Sequence, residues 1–111
     1  MRTPEGIEKD EIKKYLNEIS AYQVWPVPTG YGPPLIDCFG CVRGKFFGIE
    51  VKREGVWKPS PRQKITLDRI TAAGGLAFTT NSVERVKTMI GDHILGQERH
   101  SCAGELPELQ K

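Results

Sequence analysis

No stretch of the sequence approaches the roughly 18 consecutive apolar residues that would suggest a membrane span. The first residues, Met1-Arg2-Thr3-Pro4-Glu5-Gly6, lack the apolar centre of a secretory signal and lead straight into a charged, helix-like stretch. An intracellular, cytoplasmic protein without membrane contact is therefore expected. Cysteine is scarce: three residues cannot all pair, and the odd count suits a reducing compartment better than a disulfide framework. A large excess of charge of one sign is missing too. The net charge of +2 is the small difference of many charges, so the total does not identify a nucleic-acid partner. There is no internal repeat, and 111 residues suffice for one domain around one core.

What is present is balanced, with 38% apolar and 27% charged residues, as in soluble globular chains. Basic residues crowd the middle (Arg43, Lys45, Lys52, Arg53, Lys58, Arg62, Lys64), whereas the first helix and the tail hold most of the acids. That distribution fits a DNA-facing side and fits a solvated mixed surface equally well. Cys38 and Cys41 have zinc-like spacing, with His100 and Cys102 as completing ligands. In a strand-like run, however, residues three apart point to opposite faces, so without a kink at Gly40 they share no metal. Small buried cysteines are the expected reading.

Apolar spacing at Ile12, Tyr15, Leu16 and Ile19 predicts a helix over about Glu5 to Ser20, opened by Thr3 and Pro4. Tyr22 to Val27 reads as a strand, with Pro26 marking an edge or an end. Pro28 to Pro34 is too rich in glycine and proline for either element and predicts a shaped loop. Leu35 to Val42 and Lys45 to Lys52 are strand-like and separated by Arg43-Gly44, which predicts a tight hairpin. A charged loop, Arg53 to Pro59, precedes a helix from Ser60-Pro61 to Gly74-Gly75. Leu76 to Thr80 predicts a buried strand, and Ser82 opens a third helix carrying Val83, Val86, Met89, Ile90 and Ile94. The expected fold is α/β, a mixed β-sheet flanked by helices in the order α-β-β-β-α-β-α. The last strand should run parallel to the Lys45 strand through a helical crossover. Residues 1–96 form the expected domain, and 97–111 a polar, partly disordered tail.

The chemistry sits on the hairpin. Along the Lys45 strand, Phe47, Ile49 and Val51 share one face, while Phe46, Gly48, Glu50 and Lys52 share the other. An acid and a base two residues apart thus end the second face of a strand that otherwise looks central. Asp37 interrupts the apolar run Leu35-Ile36-Asp37-Cys38-Phe39, where an unpaired carboxylate would be costly to bury. Counted from the turn, Asp37 and Glu50 lie at nearly equal distances and can meet on one face. A divalent cation relieves the repulsion of two such carboxylates, and oxygen donors favour magnesium or manganese. That arrangement suits phosphodiester hydrolysis, with Lys52 orienting the nucleophile or stabilising the transition state. The bland alternative is a solvated Glu50-Lys52 ion pair, with Asp37 beginning a turn at Gly40.

Asp37, a hairpin and then Glu50-Val51-Lys52 resemble the signature of the PD-(D/E)XK nucleases, whose core is restriction-endonuclease-like. Thr3-Pro4-Glu5-Gly6, Gly30-Tyr31-Gly32, Gly44 to Lys52, Pro59-Ser60-Pro61-Arg62-Gln63 and Ala73-Gly74-Gly75 resemble the virus-type replication-repair nuclease (VRR-NUC) branch, which includes stand-alone phage members. The resemblance implies a magnesium- or manganese-dependent endonuclease acting on DNA, with no small-molecule cofactor. Some small members are homodimers that cut branched DNA such as Holliday junctions, and a phage-encoded chain would work in the host cytoplasm. By position, Asp37 and Glu50 would bind metal, the Val51 carbonyl could add a ligand, and Lys52 would be the catalytic lysine. Gln63 matches the glutamine that follows the core motif, and its spacing from Ser60 also makes a helix capping box. Glu5 matches a first-helix glutamate that helps to organise the site, with Glu8 in reserve; a solvated helix-start glutamate is the plain alternative. Tyr31, Arg43, Lys45, Arg53, Lys58, Arg62 and Lys64 would face DNA, with Trp57 able to stack on bases and Trp25 suited to the core. One departure is visible: the family usually has proline before the aspartate, and here that residue is Ile36. The rival from another class is a DNA-binding or assembly subunit that keeps the fold without cutting.

Overall fold

The computed structural model describes residues 4–27, 36–52 and 60–96, with positions 4 and 5 described as backbone. In chain order these form helix α1 (Pro4–Glu18), strands β1 (Tyr22–Val24), β2 (Cys38–Val42) and β3 (Lys45–Val51), helix α2 (Pro61–Ala72), strand β4 (Leu76–Thr80) and helix α3 (Val83–Ile90). A wider π-helical turn, Gly91–Leu95, extends α3. The order is the expected α-β-β-β-α-β-α, around a mixed sheet arranged β1-β2-β3-β4.

The apolar alternation on β3 decides the layering. Phe47, Ile49 and Val51 are fully buried and join Ile12 and Leu16 of α1 and Val86 and Ile90 of α3 in one core. Three fully buried β3 side chains of this size supply several kcal/mol of hydrophobic stabilisation. On the opposite face Gly48 lies under α2. A Cβ there would come within 2.6 Å of Ile36 Cδ1 and 2.7 Å of Ile70 Cδ1, so the missing side chain is what lets both isoleucines close over the strand. Strands β2 and β3 pair antiparallel from Val42↔Lys45 to Cys38↔Ile49, and β3 pairs parallel to β4, with α2 as the crossover. Arg43 and Gly44, with φ of 52° and 79°, make the turn of the hairpin in the doubly left-handed form that matches strand twist.

Helix ends are set by one device used twice. After α1, Ser20 takes φ 61°; its N–H reaches the Asn17 carbonyl at 3.1 Å and the Ala21 N–H reaches Leu16 at 2.9 Å. After α2, Gly74 takes φ 98°, with Gly74 N–H on Thr71 at 3.0 Å and Gly75 N–H on Ile70 at 2.9 Å. Both are left-handed caps with the paired backbone bonds that satisfy terminal carbonyls. Glycine made the second visible in the sequence; serine concealed the first, which ends α1 at Glu18 rather than Ser20.

Three strands are shorter than the pattern predicts, β3 by its last residue alone, since it ends at Val51. β1 stops at Val24 instead of Val27, its last partner being Phe39, and Pro26 just beyond has no N–H to donate. β2 begins at Cys38 rather than Leu35, because the chain bends at Asp37. Leu35, the 28–34 loop, the 53–59 loop and the 97–111 tail lie outside the described residues, as do the helix-opening Thr3, the stacking candidate Trp57 and the zinc candidates His100 and Cys102. Among the described residues no helix is long and apolar enough to cross a membrane.

The two caps predict opposite signs. Ser20→Gly should raise stability by about 0.5–1 kcal/mol and Gly74→Ala should lower it by about 1 kcal/mol, since only the non-glycine residue is strained at positive φ. Urea denaturation of both variants measures this; a less stable Ser20→Gly protein would contradict the assignment.

Candidate active site

The hairpin register carries the geometry. Continuing past Cys38↔Ile49, the next opposed residues are Asp37 and Glu50, at a position of the non-hydrogen-bonded kind, where side chains on one face approach most closely. There the ladder gives way to side-chain bonds. The Asp37 N–H donates to Glu50 Oε1 at 3.1 Å, and the Val51 N–H donates to Asp37 Oδ2 at 2.8 Å. This exchange is why β2 starts only at Cys38. In extended chain the N–H and C=O of one residue leave on the same edge, so the Val51 carbonyl is directed toward the Asp37 side.

Helix α2 completes the cluster from above. Ser60 caps it: Ser60 Oγ accepts the Gln63 N–H at 3.2 Å, and Gln63 Oε1 accepts the Ser60 N–H at 3.0 Å. The same Gln63 amide reaches the sheet. Its Nε2 donates to Glu50 Oε2 at 2.6 Å, and its Oε1 accepts from Lys52 Nζ at 2.9 Å. Lys52 Nζ also lies 3.3 Å from Glu50 Oε2. The capping role and the site role therefore coexist in one side chain, and Glu50, Lys52 and Gln63 hold each other in a closed set.

Glu50 is 2% exposed, which is rare for a glutamate unless it is paired. Burial, then the Asp37 charge opposite, pushes its carboxyl up to about 7 despite the nearby Lys52. Helix α1 brings a second cation that the sequence reading did not select: Lys9 Nζ lies 3.5 Å from Asp37 Oδ1. A signal was present, since at 100° per residue Lys9 projects between the buried Ile12 and Leu16 and the helix flank, an unusual place for lysine. Glu8 is engaged elsewhere. Its Oε1 accepts the Val83 N–H at 3.2 Å, and burial, then Glu11, raises its carboxyl. It thus supplies a partner to an orphan donor at the start of α3. Glu5 occupies α1 four residues before Lys9, with its side chain outside the described residues.

Among the described residues the basic side chains do not gather in one place. Arg62 and Lys64 are exposed in the first turn of α2, beside Gln63, with Lys64 paired to Asp68 at 3.1 Å. Arg43 and Lys45 sit at the far end of β3, about 20 Å from Glu50 at 3.3 Å per residue. There Arg43 Nη1 donates to the Ile19 carbonyl at 3.0 Å. Trp25 is half-buried against the core under Lys13, with its N–H on Gln23 Oε1. Tyr31, Arg53 and Lys58 lie outside the described residues.

Two metal readings meet this geometry differently. For zinc, Cys38 is buried and its thiol is pushed up to about 12 by burial, so it keeps the proton that zinc would have to displace. Cys41 is exposed, not buried as its strand-like setting suggested, because β2 turns it to the other face, which α2 does not cover there. Among the described residues no three His, Cys, Asp or Glu side chains come together as a metal cage. Magnesium does not require one: it binds through one or two carboxylates and keeps several waters. Asp37 and Glu50 supply hard oxygen donors, and their mutual repulsion is what a divalent cation would relieve, so the donor set fits magnesium or manganese.

No family model matches the sequence, and comparison with curated proteins finds no match. Among solved structures the chain is similar to one described as a VRR_NUC domain, at a TM-score of 0.67 and 23% sequence identity, covering 84% of this chain and 99% of that one. The chain has the VRR_NUC fold, as its sequence motifs implied.

The raised Glu50 carboxyl has a pH signature in protein freed of divalent cations. A folded-state value above the ordinary 4.5 contributes stability below about pH 4.5 that is lost as the pH rises through about 7. Glu50→Gln does not titrate, though its amide leaves one of the two donors, the Asp37 N–H or Gln63 Nε2, badly matched. The stability of Glu50→Gln relative to wild type should therefore rise between pH 5 and pH 8, by about 3 kcal/mol at most. Urea denaturation in EDTA at the two pH values measures it, and a constant difference would refute the shift.

Proposed function

We propose that this protein is a metal-dependent nuclease that hydrolyses phosphodiester bonds in DNA. The observation that carries the reading is the meeting of Asp37, Glu50 and Lys52 at the end of β3, with Lys52 Nζ 3.3 Å from Glu50 Oε2 and the Asp37 N–H on Glu50 Oε1. The VRR_NUC fold supports it from a separate direction.

In this reading Asp37, Glu50 and the Val51 carbonyl hold magnesium or manganese. When bound, the ion supplies an acidified water and positive charge against the phosphate. The protein does the positioning. Gln63 fixes the Glu50 carboxylate and the Lys52 ammonium relative to each other, so neither must reorganise when substrate arrives. An ammonium has three donors; among the described residues Gln63 and Glu50 take two, which leaves one to orient the nucleophile or to hold a phosphate oxygen. Arg62 and Lys64 flank Gln63 on the exposed turn of α2 and would contact the sugar-phosphate backbone, reading shape rather than base sequence. Selectivity for branched DNA, such as a four-way junction, and action as a homodimer belong to this proposal. One domain of this size covers little of a branched duplex, and a symmetric pair would present two sites.

The test is cleavage of four-way junction, flap, single-stranded and plain duplex DNA with magnesium, manganese or EDTA. Wild type should cut only with metal, and Glu50→Ala and Lys52→Ala should each lose at least about a hundredfold in rate, typical of removing one preorganised group. Metal-independent cutting, or full activity in both variants, would sink the assignment. If wild type binds every substrate and cuts none, the protein is a binding subunit that retains the fold.

A further inference from the structure

Resting on the nuclease reading, we propose that Lys9 is an exchangeable counter-cation. It occupies Asp37 Oδ1 in the metal-free protein, yields that oxygen to the incoming divalent cation, and then pairs with a phosphate of the bound strand. Three observations lead there. The two oxygens of Asp37 are unlike: Oδ2 takes the Val51 N–H at 2.8 Å, a bond that closes the strand end, whereas Oδ1 faces Lys9 at 3.5 Å. The oxygen a cation could take without breaking the hairpin is therefore the one Lys9 approaches.

The two lysines are also held differently. Lys52 is 18% exposed and fixed by Gln63 and Glu50, while Lys9 is 33% exposed, on a flexible stem from another helix, at a distance long for a charge-assisted bond. Swinging Lys9 aside costs little, since partly exposed pairs of this kind contribute only weakly to stability. Finally, the cluster holds no excess of negative charge without metal. Among the described side chains at the site, Asp37 and Glu50 are opposed by Lys9 and Lys52. A divalent cation makes the cluster positive and leaves Lys9 without its carboxylate, and the anion that restores balance is the phosphodiester strand. The device would make cation and DNA binding mutually favourable, each removing the electrostatic obstacle to the other.

The experiment uses the full chain. Manganese binding is measured by calorimetry without DNA for wild type, Lys9→Met, Lys9→Arg and Glu50→Gln, with circular dichroism confirming the fold. Methionine keeps helix propensity and stem length, so the charge alone is removed. Lys9→Met should bind manganese about two- to fivefold more tightly than wild type, and Lys9→Arg should stay near wild type. In a Lys52→Ala background, which cuts slowly enough for binding to be read, adding Lys9→Met should weaken manganese-supported binding of a fluorescent four-way junction. It should also lower the salt-dependence slope by about one phosphate contact. If wild type binds manganese no better than Glu50→Gln, the metal reading of the site fails and this proposal falls with it. If wild type binds manganese and Lys9→Met binds it no more tightly, the metal reading stands and Lys9 is not the competitor. Tighter manganese binding with an unchanged salt slope would overturn the transfer to phosphate.

Discussion

The structure turns on a carboxylate that is buried at the end of a central strand. Glu50 is taken out of water opposite Asp37, and three neighbours compensate for it: Asp37 with a backbone N–H, Lys52 with an ammonium, α2 with the Gln63 amide. Burying such a group is unfavourable unless hydrogen bonds and opposite charge surround it. The order of the elements serves this need. The hairpin supplies the first compensation, and the parallel crossover through α2 delivers the last, because the helix must return over the sheet on the Glu50 face to reach β4.

Gln63 connects local folding to the site. The bond that stabilises the first turn of α2, from the Ser60 N–H to Gln63 Oε1, also fixes the amide so that its Nε2 faces Glu50 and its Oε1 faces Lys52. A glutamate would serve the capping box equally well. It would, however, set a second carboxylate 2.6 Å from Glu50 Oε2, where the glutamine has a donor. The choice between two equivalent capping residues is thus made by the sheet below, not by the helix. Gly48 contributes in the same way: with no side chain beneath Ile70, α2 can sit low enough for the amide to reach.

What the sequence disclosed, and what it withheld, follows from the range of the interactions. The Arg43-Gly44 turn fixes a register over a few residues, so the opposition of Asp37 and Glu50 could be counted directly from the chain. The parallel β3–β4 pairing followed from the length of the crossover, and the end of α2 from Gly74. Element limits decided by non-local bonds could not be counted. β2 is shortened because the side chains of Asp37 and Glu50 take the place of ladder hydrogen bonds, β1 stops early beside Pro26, and α1 ends on a left-handed serine that resembles any polar helix residue. Cys41 looked buried because the strand pattern does not show which face α2 leaves open. Lys9 was overlooked for a related reason: its partner is 28 positions away, and only the odd placement of a lysine near the Ile12–Leu16 face hinted at one.

The arrangement also explains why the site sits where the sheet frays rather than in its middle. A regular ladder satisfies all its backbone groups internally and has none to spare for side chains. At Asp37 the ladder ends, and the freed N–H groups of Asp37 and Val51 become donors that aim the two carboxylates. One residue further into the sheet, at the positions of Cys38 and Ile49, the same carboxylates would turn into the apolar core with no donors and no path to solvent. One residue further out, the register would no longer oppose them. The position at which pairing stops therefore fixes the separation, orientation and accessibility of the acid pair together, and a shift of the hairpin by one residue would destroy all three at once.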